Sequence, residues 1–150
     1  MKDWLKQIII QKACSFLIKG EEVTPTLFGV NARGRVFVMT LGELFKSETG
    51  KDRAVALGQE LVRQQRLTLT ALVYEAWLSS AVNLKPGMRP SRDPQRQERL
   101  ILMLETSTDL EVSSIPIKNR KLHLSKRTTL ENVSTRFRFF TTREPPPLAA

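Results

Sequence analysis

The sequence predicts an α+β domain: an antiparallel sheet of five to six strands with two helices packed on one face, in the order α-β-β-α-β-β-β and a further strand at the end. Three observations carry this. Two stretches repeat apolar residues at three- and four-residue steps, the spacing of a helix stripe. Several others are short β-rich runs, and the breaks between them are short and polar, as antiparallel neighbours require. At 150 residues the chain has the size of one domain with one core, so residues 1–143 read as that domain and 144–150, Glu-Pro-Pro-Pro-Leu-Ala-Ala, as an extended, mobile tail.

From Lys2 to Lys19, Trp4, Leu5, Ile8, Ile9, Cys14, Leu17 and Ile18 mark the apolar stripe of a first helix, and Gly20 is a natural stop. Thr26 to Val30 and Arg35 to Leu41 form a hairpin around Asn31-Ala-Arg-Gly34, where Asn and Gly accept the left-handed backbone of a tight turn. Thr49 and Asp52 resemble a capping box opening a second helix to about Arg66, with Gly58 on its apolar side allowing close approach. Leu69 to Ser79 fits either period; its Thr, Val, Tyr and Trp residues favour a strand, apolar on both faces and so central in the sheet. Residues 83–97 hold Pro86, Gly87, Pro90 and Pro94 and read as an exposed loop. Arg99 to Thr106, Glu111 to Ile117, Leu122 to Lys126 and Thr135 to Thr141 follow as strands. The element order resembles roadblock- and profilin-like domains in outline.

Composition narrows the classes. Apolar residues at 41% and charged residues at 26% are those of a folded water-soluble chain. The run Trp4 to Ile18 is broken by Lys6, Gln7, Gln11 and Lys12, so it fits neither a signal peptide nor the roughly 20 apolar residues of a membrane span. One cysteine, Cys14, allows no internal disulfide and suits a reducing, cytoplasmic setting. What departs from the average is the net charge of +9, which draws anionic partners without choosing among them.

Most familiar chemistries are absent. Ser47-Glu-Thr-Gly50-Lys51 lies between strand and helix, but Phe45 and Asp52 stand where a phosphate-binding P-loop needs Gly and Ser or Thr. His123 is the only histidine, which excludes a two-histidine zinc site, and it falls on a polar strand face. Cys14 lies in the helix stripe as a structural thiol. No cofactor or metal is expected. Carboxylates remain: Glu75 in the central strand, with Asp93 and Glu98 about the proline-rich loop, would be the residues of a carboxylate-dependent hydrolase or transferase. The competing reading pairs them with Arg89, Arg92, Arg96 and Arg99 in a network that pins the loop to the sheet.

Glu75-Ala-Trp77, then Arg89-Pro-Ser-Arg-Asp-Pro94 and Arg96-Gln-Glu98 leading into an apolar strand, resembles a pattern in uncharacterised bacterial and phage proteins. That resemblance covers about a quarter of the chain, carries no activity, and implies that the loop matters.

Between Ile117 and Arg143 stand eight basic residues against one acid, Glu131, which is +7 of the total +9. If the last two strands pair, one sheet face presents Lys121, Arg127, Arg136, Arg138 and the Phe140 ring, a composition that tracks phosphates and stacks a base. Lys118 and Arg120 flank it, and Arg89 and Arg92 of the loop can grip anions bidentately. The sequence therefore favours a small basic domain that binds an anionic partner such as nucleic acid over an enzyme. A protein-interaction or homo-oligomerisation module, using the N-terminal helix or a sheet edge, is the alternative.

Overall fold

The first helix, α1 (Lys2–Ile18), buries Leu5, Ile9, Ala13 and Leu17, one residue every four. This row is narrower than the expected stripe. Trp4, Phe16 and Ile18 stay exposed, because a helix lying on a sheet seals only the row it leans on. Its end is a Schellman motif: Glu21 N–H donates to Phe16 O at 2.9 Å and Gly20 N–H to Leu17 O at 3.0 Å. Gly20 takes the left-handed φ of +78° that this motif needs.

The structure, a computed structural model, describes residues 2–78, 96–131 and 133–141. The expected loop, except for its last two residues, and the expected tail lie outside the described residues. After α1 come β1 (Thr26–Asn31) and β2 (Val36–Thr40), paired antiparallel with Phe28 opposite Val38. Asn31 sets their turn: its Oδ1 accepts from the N–H of Arg33 at 3.0 Å and of Arg35 at 2.9 Å. A short 3₁₀ turn at Leu44–Lys46 leads into α2 (Glu48–Gln65). Its cap is Ser47, whose Oγ accepts from Gly50 N–H at 2.9 Å, and not the Thr49–Asp52 pair. Ser47 has the extended backbone of an N-cap, whereas Thr49 is already inside the helix.

Next follow β3 (Leu67–Leu78), β4 (Gln97–Glu105), β5 (Leu110–Lys118), β6 (Lys121–Leu122) and β7 (Thr128–Leu130). The seven strands form one antiparallel sheet in the order β2-β1-β3-β4-β5-β6, with β7 also on β5. The α+β class, the element order and the central place of β3 are as expected. Two details of the expectation are corrected.

The helices lie on opposite faces. Leu69, Ala71 and Val73 of β3 and Leu100, Leu102 and Leu104 of β4 pack with α1, while Leu72, Ile101 and Met103 pack with Ala54 of α2. Strands apolar on both sides need cover on both sides. The second correction is at the C-terminus. Leu122 to Lys126 is mostly a 3₁₀ turn, Leu124–Lys126, and residues 133–141 form no strand. The free edge of β5 is already taken by β6 and β7, and Arg99 bridges β5 and β7 by donating to Ser114 Oγ at 3.2 Å and to Thr128 Oγ1 at 3.4 Å.

Residues 133–141 instead lie across the α2 face as its remaining cover. Phe139 is buried, and its ring fills the space at Gly58, where any Cβ would collide with it. Phe137 stacks on Phe45 at 5.0 Å between centroids. Two polar contacts fix the backbone: buried Glu105 accepts from Phe139 N–H at 2.7 Å, and Gln59 Nε2 donates to Arg138 O at 3.1 Å.

Phe139→Ala should therefore lower stability by about 3–5 kcal/mol, read as a lower urea midpoint at unchanged m-value. Gly58→Val should also destabilise, and the double variant should lose less than the sum because removing the Phe139 ring vacates the space that the added valine needs. Strict additivity would show that the ring does not pack here.

Candidate functional site

Where β1 begins, at the Thr26–Val73 pair, β3 runs on past it, and among the described residues Tyr74 to Leu78 have no strand neighbour on that side. Two clefts meet there. The larger, about 630 Å³, includes Tyr74, Phe45, Phe137 and Lys51. The smaller, about 300 Å³, is lined by Glu22, Glu75, Trp77, Glu98 and Arg120. Antiparallel register explains the smaller one. Glu75 opposes Leu100 and Trp77 opposes Glu98, which puts Glu75, Trp77 and Glu98 on the α1 face as direct or diagonal neighbours.

Glu75 is half-buried and accepts a hydrogen bond from Val23 N–H at 2.8 Å, tying the segment after α1 to the sheet. Burial raises its carboxyl above the ordinary value; the Val23 bond opposes this, Glu98 beside it adds to the rise, and the Arg120 charge opposes it again. Arg120 crosses from the β5–β6 turn to donate to Glu21 O. Arg96 lies over the Trp77 ring at 4.5 Å. Residues that carry the sequence pattern, Glu75, Trp77, Arg96 and Glu98, thus meet at one place. Asp93, the third carboxylate candidate, and Arg89 and Arg92 lie outside the described residues.

The basic candidates divide into two sets. Arg136 is an ion-pair partner of Glu48 and of Asp52, the latter at 3.3 Å, and Arg138 Nε reaches Glu105 at 2.8 Å. Phe140 is half-buried. The expected pairing of the last two strands, which would have put these side chains beside Lys121 and Arg127, does not form.

Lys118, Lys121, Lys126 and Arg127 form the other set. All four are exposed, and among the described residues none has a carboxylate within ion-pair distance. Lys118 and Lys121 stand directly opposite each other across the β5–β6 turn. Both turn residues are left-handed, Asn119 at φ 53° and Arg120 at φ 60°, a two-residue turn of the hairpin type.

Sequence reasoning missed Glu105, a carboxylate 1% exposed that holds Arg138. Its place at the end of an apolar run gave a signal, since a buried acid demands a partner. It also missed Glu111, to which Lys6 and Lys2 of α1 reach at 3.2 and 3.5 Å. Burial opposes ionisation of Glu111, but the two lysines together hold it below the usual carboxylate value. Cys14 is half-buried. Among the described residues, no group of three or more His, Cys, Asp or Glu is placed to hold a metal, and no helix is long and apolar enough to cross a membrane. The chain matches no family model, no curated protein and no solved structure.

The Glu75 shift fixes the sign of a pH effect. A carboxyl with a raised folded value binds its proton more tightly folded than unfolded, so it favours the fold at acid pH and costs stability above its folded value. Glu75→Gln, which keeps an acceptor for Val23, should raise the melting midpoint at neutral pH. The gain should fade as pH falls through the carboxylate range; a pH-independent change would assign the effect to packing.

Proposed function

We propose that this is a small cytoplasmic binding domain for a polyanion, with the phosphate backbone of nucleic acid as its ligand, and that the edge segment from Lys118 to Arg127 makes the contact. One observation carries the reading. Five basic residues and no acid occupy that segment, and two of its lysines are directly opposed across a tight turn. Like charges in that position destabilise a hairpin. Phosphates placed between them convert the repulsion into attraction.

Arg136 and Arg138 play a different part here. With Glu48, Asp52 and Glu105 as partners they hold the C-terminal segment to α2 and β4, so each charge, though exposed, is already balanced by an acid. Arg120, held at the carboxylate cleft, supports the turn. Phosphate contacts of this kind give affinity with little sequence discrimination, which suits an edge that lacks a groove-reading helix.

The cleft supports a second reading, because a carboxylate-dependent hydrolase or transferase needs its acids in one place, and Glu75 and Glu98 line the same space. Glu75, however, is engaged by Val23 and faced by Arg120, the arrangement of a group that fastens a loop. We therefore read the cleft as structural.

Fluorescence anisotropy with labelled single- and double-stranded oligonucleotides tests the proposal. Binding should weaken steeply with salt, and the double variant Lys118→Glu, Lys121→Glu should lose it with an unchanged melting midpoint. The milder pair Lys118→Ala, Lys121→Ala, with two phosphate contacts fewer, should keep measurable binding and flatten the log–log salt slope by roughly 2. Arg136→Ala should leave affinity nearly intact. No binding at about 50 mM salt, where screening is weak, would end the proposal.

A further inference from the structure

The row that α1 buries against the sheet is Leu5, Ile9, Ala13 and Leu17, and Ala13 is the smallest of the four. Beside it the helix leaves room above β1 and β3. A cavity of about 210 Å³ opens there, walled by Ile9, Ala13, Phe16, Val23, Phe28 and Val73. Ile9, Ala13, Val23 and Val73 belong to the buried core, so the floor is fixed by the packing that holds α1 in place. A dry apolar cavity of about 150 Å³ is enough to take up benzene, and by that scale this one houses a body of roughly six to eight carbons.

Its mouth is of the opposite character. The remaining lining residues are Lys12 of α1, Thr24 before β1, and Thr26 and Thr40, the last two directly opposed across β1 and β2. Thr26 Oγ1 donates to Thr24 O at 2.8 Å, which leaves the Thr24 and Thr40 hydroxyls to face the opening. No acid lines the cavity. Lys12 is exposed, and among the described residues it has no carboxylate within ion-pair distance. Apolar walls with a few polar groups gathered at one end make a small-molecule site, and the sign of the single charge selects the head group. An anion is drawn to Lys12, whereas an ammonium meets no counter-charge.

We propose that this cavity binds a free amphiphilic carboxylate, its chain between α1 and the sheet and its head group at Lys12 and the threonine hydroxyls. The site is separate from the basic edge, because it lies over β2, β1 and β3 while Lys118 to Arg127 lie beside β5.

Isothermal titration calorimetry of the full chain with butanoate, hexanoate, octanoate and decanoate reads the chain. Each added methylene should tighten binding about fourfold until the cavity is full, with no further gain beyond it. Octylamine, with the same chain and the opposite charge, should bind roughly tenfold more weakly than octanoate. Lys12→Glu should reverse that order, and its melting midpoint without ligand should be unchanged because the side chain is exposed. In ¹H–¹⁵N spectra octanoate should shift the amides of Ala13, Thr24 and Thr40 and leave those of Lys118 to Arg127 in place. No binding at millimolar octanoate, equal affinity for octylamine, an affinity indifferent to chain length or to Lys12→Glu, or shifts confined to other residues would each overturn the proposal. So would binding to phosphatidylglycerol vesicles without binding of free octanoate, which would make the opening a membrane contact. Octanoate should leave oligonucleotide affinity unchanged, so the two proposals fail separately.

Discussion

Glu105 is the charge around which the second face of the sheet closes. A carboxylate 1% exposed in a layer with Ile101, Met103 and Val112 would cost several kcal/mol if left alone. It is satisfied by two neighbouring groups of one segment, the N–H of Phe139 and the guanidinium of Arg138. That double hold fixes the direction of the backbone there. Phe139 then enters the space left by Gly58, Phe137 reaches Phe45, and Arg136 arrives at the first turn of α2, where Glu48 and Asp52 receive it. Part of the cover of that face, and the placing of two arginines against acids, follow from one buried carboxylate.

Much of the fold was legible because turn and stop chemistry is local. Asn31 and Gly20 act within five residues of themselves, and their signals survive any tertiary context. The face each helix covers was also written in the sequence, in the two-sided apolar runs of β3 and β4, but reading it requires asking what covers the second side. The C-terminal segment shows a different limit. Arg136, Phe137, Arg138 and Phe139 alternate with the period of a strand, and their side chains do alternate between solvent and core. No ladder forms, because period two reports which way side chains face, and whether an edge is free is decided by β6 and β7 elsewhere in the chain.

The candidate sites were legible to the same extent. Glu75 and Glu98 lie on separate strands, and only the β3–β4 register makes them neighbours; the sequence marked Glu75 as a costly acid in an apolar strand and Glu98 as a carboxylate beside the loop, without showing that they share a face. Arg120 reaches Glu21 across 99 positions, a contact no local pattern carries. The basic segment was visible as a count, yet counting could not separate cations held by internal acids from those left to solvent.

That separation changes what the net charge means. Of the eight cations between Ile117 and Arg143, Arg136 and Arg138 are partnered by acids from α2 and β4, Arg120 is drawn to the carboxylate cleft, and Arg143 lies outside the described residues. Four remain, all on the edge segment beside β5. The same segment interrupts its strand with a 3₁₀ turn, and turn and charge together guard that edge against pairing with another chain. At the far side of the sheet β2 has neither guard. The two edges of one sheet therefore differ, one charged and interrupted by a 3₁₀ turn, the other uncharged and regular.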